Sequence, residues 1–214
     1  KDPTAPWDKW AIQGGNAQEG LAAADLDGDG RVEIVSGPDW YAPPAAGPLS
    51  GPWERETHAL SFREMSRVAL ADITGNGRPD VVIVESEYVD GKLSWIENRL
   101  LEDPERPWRE HLLEEGLVFA HTLEARRDPV SGEVRVFVAE MASGGWRQPY
   151  NYDARLLEYV TADGGATWER EVLYRGAGTH QGLLADVDGD GVLEVAGKEW
   201  KYPKVHIFRR RESP

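Results

Sequence analysis

The chain has 214 residues with 24 basic against 38 acidic, a net charge of −14, and lacks the basic stripe that a nucleic-acid partner requires. It has no cysteine, which excludes disulfides and thiolate metal sites, and no apolar run near the ~18 residues of a membrane span. With 40% hydrophobic residues and nine tryptophans it has the material for a folded core, and its acidic surplus suits cation binding.

In chain order, PWDKWAI (6–12) has the pattern of an outer strand with no unit before it. LAAAD, RVEIVSG, a Pro- and Gly-rich third segment (42–52) and PWERETHAL follow. The next unit is the most regular: RVALAD (67–72), RPDVVIVES (78–86), KLSWIEN (92–98) and PWREHLL (107–113). Four short β-rich runs with Gly, Asn, Asp and Pro between them read as an antiparallel meander. A third unit has HTLEARRD, EVRVFVAE, ARLLEYV and TWEREVLY, and a fourth has HQGLLAD, LEVAGKEW and KVHIFRR, one strand short. Units repeating at about 50 residues predict a repeat architecture, with boundaries near 13–60, 61–113, 114–174 and 175–214. The spare strand at 6–12 is expected to complete the last unit and close a ring. That predicts a single all-β domain, a β-propeller of four four-stranded antiparallel blades, with Trp7, Trp53, Trp108 and Trp168 packed between blades. Arg209, Arg210 and Arg211 read as a solvated tail.

Asp25-Leu-Asp-Gly-Asp-Gly recurs as Asp72-Ile-Thr-Gly-Asn-Gly and Asp186-Val-Asp-Gly-Asp-Gly. An EF-hand needs flanking helices and a bidentate Glu at the twelfth position, where this chain has Ser36, Ile83 and Gly197. The ninth position is acidic instead, so Asp25, Asp27, Asp29 and Glu33 form one oxygen-ligand set, and Asp186, Asp188, Asp190 and Glu194 another. Asp72, Thr74, Asn76 and Asp80 form a third with less charge and weaker expected binding, the bland reading of all three being metal-free Asx turns. The third unit carries Arg127 and Arg135 where carboxylates would stand, and no calcium is expected there.

The acidic loop running into a β-branched strand, the W-x-x-H-x-[IL] outer strand and the THQG approach resemble the FG-GAP or VCBS repeat family, related to integrin α-subunit propellers. The resemblance implies a propeller fold with calcium in the loops; its members include lectin-like modules, adhesion domains and scaffolds of polysaccharide lyases and sugar dehydratases. Many members have seven or more blades, so the four counted here imply a small propeller, a fragment, or half of a ring completed by a second chain. TADGGATW (161–168) further resembles the structural Asp-box turn of sialidase propellers. Calcium loops of modest charge usually need millimolar calcium, which implies a secreted or periplasmic location.

Residues six before each loop share one level of the predicted ring: Glu19, Ser66, His121 and His180. Two histidines and a glutamate converging on an axis suit a metal or acid–base site. Asp39, Glu85, Glu140 and Glu199 form a second level, from whose strand ends Trp40, Tyr41, Trp146, Arg147, Tyr150, Tyr152, Lys198, Trp200 and Tyr202 extend. Aromatic platforms with polar groups on scaffold loops are what a sugar-binding face requires, although they also suit the plug of a small propeller. The leading expectation is a calcium-stabilised module, monomeric or a ring-completing homodimer, binding carbohydrate or a protein partner through Asp39, Trp40, Tyr41, Glu85, Trp146, Tyr150, Tyr152, Lys198 and Trp200. The alternative is a polysaccharide lyase or sugar dehydratase, with His121 or His180 as base or metal ligand, Glu140 and Glu199 in the channel, and Arg147 or Lys198 neutralising a substrate carboxylate. A glycosidase using two of the ring carboxylates ranks lowest.

Overall fold

The structure is a computed structural model that describes residues 2, 4–6, 8–12, 18–142, 150–200 and 204–210. Among these there is no helix, and fifteen strands form four antiparallel meanders. Sheet 1 contains β1 (Ala22–Ala24), β2 (Glu33–Ser36), β3 (Asp39–Ala42) and β4 (Glu54–Thr57). Sheet 2 contains β5 (Ser66–Ala71), β6 (Asp80–Glu85), β7 (Gly91–Asn98) and β8 (Trp108–Leu117). Sheet 3 contains β9 (Ala120–Arg127), β10 (Val134–Glu140), β11 (Arg155–Thr161) and β12 (Glu169–Arg175). Sheet 4 has three strands, β13 (Gln181–Ala185), β14 (Glu194–Lys198) and β15 (Val205–Phe208).

Consecutive sheets pack face to face, and the side-chain period of two assigns each strand's residues to two cores. On β6, Val81 and Ile83 join Leu26, Val35 and Trp40 of sheet 1, while Val82 and Val84 join Val134, Val136 and Val138 of sheet 3. Val81, Val82, Ile83 and Val84 are all buried for that reason, which explains an unbroken β-branched run where a half-exposed strand would alternate. On β10 the other parity, Phe137 and Ala139, packs with Val195, Leu184 and Phe208 of sheet 4.

The first strands of the four sheets lie in a row, β5 touching β1 and β9, and β9 touching β13. Gly20 N donates to Ser66 O at 3.1 Å, tying the approach to β1 onto sheet 2. A Cβ at Gly20 would lie 2.4 Å from Val68 N, so only glycine permits this approach. Arg67 on β5 reaches Gln181 on β13 at 3.3 Å, so side chains of sheets 2 and 4 meet across β9.

Two expectations need correcting. The closing strand expected at 6–12 is not formed: Asp8–Ile12 belong to no strand, and β15 pairs with β14 alone. Sheet 4 therefore presents Leu183, Val205 and Ile207 exposed on its outer side. The third strand of sheet 1 is Asp39–Ala42, not the Pro- and Gly-rich 42–52, because Gly37 (φ 53°) and Pro38 make a two-residue hairpin turn. Of the four tryptophans expected between blades, Trp108 packs against the core shared by sheets 1 and 2, and Trp168 against that of sheets 2 and 3. Trp53 donates from Nε1 to Pro48 O in its own loop, and Trp7 lies outside the described residues.

Candidate metal loops and a central histidine–carboxylate cluster

Each acidic loop is wound by its first aspartate. Asp25 accepts from Gly28 N (2.7 Å) and Gly30 N (2.9 Å), Asp72 from Gly75 N and Gly77 N, and Asp186 from Gly189 N and Gly191 N. Both glycines of each loop have positive φ, the conformation that turns their amides inward. The ninth-position carboxylates separate the loops. Glu33 and Glu194 each spend one oxygen on a backbone amide, Leu26 N at 2.7 Å and Val187 N at 2.9 Å, and keep the other buried without a hydrogen bond. Burial, and then the neighbouring aspartates, push the Glu33 carboxyl above its usual range. Asp80 accepts instead from Ile73 N, Thr74 N and Asn98 N, so both its oxygens are satisfied; burial still raises it to about 6.

Carboxylates of Asp25, Asp27 and Asp29 come within ligand-sharing distance of one another, as do those of Asp186, Asp188 and Glu194. These two clusters can hold a metal ion. Buried oxygens lacking a hydrogen bond are what an oxygen-ligated cation would satisfy, so the first loop fits one; in the last loop Arg209 Nε stands 3.7 Å from the open Glu194 oxygen, and the middle loop fits one only through Thr74 Oγ1, also buried without a hydrogen bond. Arg127, from the unit expected to lack a cation loop, lies across the middle loop with Nη1 3.0 Å from Asp72 O, bringing positive charge there. Arg135 pairs with Glu133 and Glu158. Arg209 leans onto the last loop, 2.8 Å from Asp188 and also paired with Asp190. The turn at 161–168 is closed by its own side chains: Asp163 accepts from Thr167 Oγ1, Thr167 N and Thr161 Oγ1, which lower it to about 2.

The expected Glu19, His121 and His180 do meet where the first strands of the sheets lie side by side. His121 is 3% exposed, its ring stacks on that of His180 at 4.0 Å, and its Nε2 lies 3.4 Å from Glu19. Ser66 does not join them, turning its hydroxyl to Arg63 O at 2.8 Å. Glu87 and Arg67 complete the cluster, 3.5 Å from His121 Nε2 and 3.9 Å from Glu19. Neither stands at the repeat position that selected the others; Glu87 lies in the β6–β7 connection, where only its charge near a strand end signals it. Burial pushes His121 and His180 down to about 4, so both are neutral at neutral pH.

The second expected level is occupied within the sheets. Asp39 binds Arg55 (2.7 Å), Thr57 (2.7 Å) and Gln18 (3.0 Å). Glu85 binds Arg63 with both oxygens, at 2.9 and 2.6 Å, and Glu140 binds Arg155 in the same two-pronged way. These three carboxylates latch the scaffold, leaving no oxygen turned to a ligand. Trp40 and Tyr41 are likewise buried, Trp40 edge-on to Trp108 at 5.9 Å, because their segment is strand β3 and not a rim loop.

Glu199 organises what remains of the rim. Its two oxygens accept from Trp200 N (2.9 Å) and Ala142 N (3.3 Å), Asn151 N donates to Ala142 O (2.7 Å), and Tyr150 and Tyr152 flank Asn151. Trp200 is half-exposed with its ring 6.5 Å from that of His180, and Lys198 is exposed beside it. Trp146, Arg147 and Tyr202 lie outside the described residues. No described helix is long and apolar enough to cross a membrane. Comparison with protein-family models and with curated proteins finds no match to this chain.

Proposed function

We propose that the chain is a small β-propeller-like module of the FG-GAP or VCBS type, stapled by calcium at residues 25–33 and 186–194, that binds carbohydrate outside the cell through the rim around Trp200. The observation that carries this is the hydrogen-bonded path from Asn151 through Ala142 and Glu199 to Trp200, which joins the segment bearing Tyr150 and Tyr152 to the one bearing Lys198 and Trp200, whose indole lies 6.5 Å from the His180 ring. Ring-sized apolar platforms beside neutral imidazoles and a lysine can stack a sugar and bind its hydroxyls. A binding role fits better than an eliminating enzyme, since histidines held near 4 are weak general bases at neutral pH.

Titration against a panel of neutral and uronic-acid oligosaccharides tests this. Trp200→Ala is expected to weaken the best ligand at least about tenfold while leaving the melting temperature within about 2 °C. Absence of binding by the wild type, or equal binding by the variant, overturns it.

The calcium staple has its own test. At about a hundred times its dissociation constant, calcium is expected to stabilise the fold by about 2.7 kcal/mol per site, several degrees in melting temperature, reversed by chelator. Glu33→Gln is expected to remove the share of the first loop. Arg209 already neutralises part of the last loop, so that loop is expected to fill at higher calcium than the first. A melting temperature insensitive to both calcium and chelator sinks the reading.

A further inference from the structure

The central cluster is built differently from the acidic loops. His121 Nδ1 lies 2.8 Å from the backbone carbonyl of His180. A carbonyl oxygen only accepts, so Nδ1 carries a proton in that contact and Nε2 is the nitrogen that can offer a lone pair. That lone pair faces Glu19 Oε2 at 3.4 Å and Glu87 Oε1 at 3.5 Å. An imidazole nitrogen and two carboxylate oxygens turned on one point, all within 4.8 Å of one another, are a donor set that a cation can share.

The spacing suits a small ion. Tetrahedral bonds of about 2.0–2.1 Å to nitrogen and oxygen place ligand atoms about 3.3–3.4 Å apart, close to the two separations from Nε2. A backbone carbonyl holding the far nitrogen is also the usual means of orienting a metal-binding imidazole. Arg67, 3.9 Å from Glu19 and also attracted to Glu87, offsets part of the carboxylate charge. The nitrogen ligand selects against calcium and magnesium, which take oxygen.

We propose that Glu19, Glu87 and His121 form a binding site for a first-row divalent transition ion of the Zn2+ class, distinct from the two acidic loops. Its ligands come from three places: the approach to β1, the β6–β7 connection, and β9. The ion therefore ties sheets 1, 2 and 3 together at the centre. Three protein ligands leave a fourth position for water or an incoming ligand atom. The site does not depend on carbohydrate binding at the rim.

Calorimetric titration of metal-stripped protein with ZnCl2, under saturating CaCl2, tests the proposal. One equivalent of Zn2+ is expected to bind, with absorption-edge spectra showing a single imidazole nitrogen and two carboxylate ligands. His121→Ala and Glu87→Gln are each expected to weaken that binding at least about tenfold, with the calcium-induced rise in melting temperature unchanged. Glu87→Gln keeps the size of a partly exposed side chain, so it remains informative where His121→Ala fails to fold. No Zn2+ binding by the wild type, or undiminished binding by Glu87→Gln, overturns the assignment and leaves His121 as a buried imidazole between two carboxylates.

Discussion

Replacing Arg155 by leucine is expected to destabilise the fold by about 3–5 kcal/mol, the usual cost of stripping the partner from a buried ion pair. Glu140 is 1% exposed and accepts from Arg155 N and Nε, each at 2.9 Å, and from Val118 N at 2.9 Å. The same guanidinium reaches Glu114 on β8 at 3.1 Å, and Glu114 also takes Arg170 and the Tyr159 hydroxyl from sheet 3. Arg155 therefore neutralises one buried carboxylate within sheet 3 and joins that sheet to sheet 2. Hydrogen bonds and charge from Glu140 and Glu114 hold the guanidinium pKa well above its ordinary value despite partial burial. Urea unfolding checks the magnitude, and the double variant Arg155→Leu with Glu140→Leu is expected to recover much of the loss. A double variant no more stable than Arg155→Leu alone would show that the uncompensated charge is not the cause. The latch also bears on the centre, because Glu140 O accepts from Thr179 N at 2.9 Å, one residue before His180.

How much of this was legible in the sequence depends on the range of the interaction involved. The strands were, since β-branched runs and turn residues are local signals, and the loop repeat fixed a register from which Glu19, His121 and His180 could be placed together. The arginines that take Asp39, Glu85 and Glu140 were not. Arg55 lies sixteen residues after its carboxylate, Arg63 twenty-two before and Arg155 fifteen after, so no common spacing reveals the pairing. Without those partners the three carboxylates read as a polar ring. Trp40 and Tyr41 misled for a different reason: they read as extending from the end of a strand, whereas Gly37 and Pro38 form a hairpin turn that places both rings in the next, buried strand. Glu87 and Arg67 were missed because convergence at the centre is a property of how the sheets pack, and the repeat records only positions inside each sheet.

Acidification is expected to weaken the fold through a third histidine, away from the central cluster. His58 is 5% exposed, packs against the Trp108 ring at 5.6 Å, and has no hydrogen-bond partner on either ring nitrogen. Burial lowers its pKa to about 4, a shift that the carboxylate of Asp39 only partly opposes. In the unfolded chain the same ring titrates near 6.5, so as pH falls the unfolded state takes up a proton that the folded state refuses. The stabilising contribution is thus complete above about pH 7 and is lost as pH drops towards 4, amounting to about 2 kcal/mol by about pH 5 and about 3 kcal/mol in all. His121 and His180 shift in the same direction, whereas Asp80, raised to about 6, takes up its proton in the folded state first and opposes them, so the wild-type slope is a net of several groups. His58→Phe isolates the first share: with no hydrogen bond to break, the variant is expected to fold, and its stability should fall between about pH 7 and 5 by about 2 kcal/mol less than the wild type's. Equal pH slopes for the two proteins in urea unfolding would mean that His58 is solvated or paired in solution, and the packing of Trp40 and Trp108 around it would then have to be looser than their 5.9 Å edge contact requires.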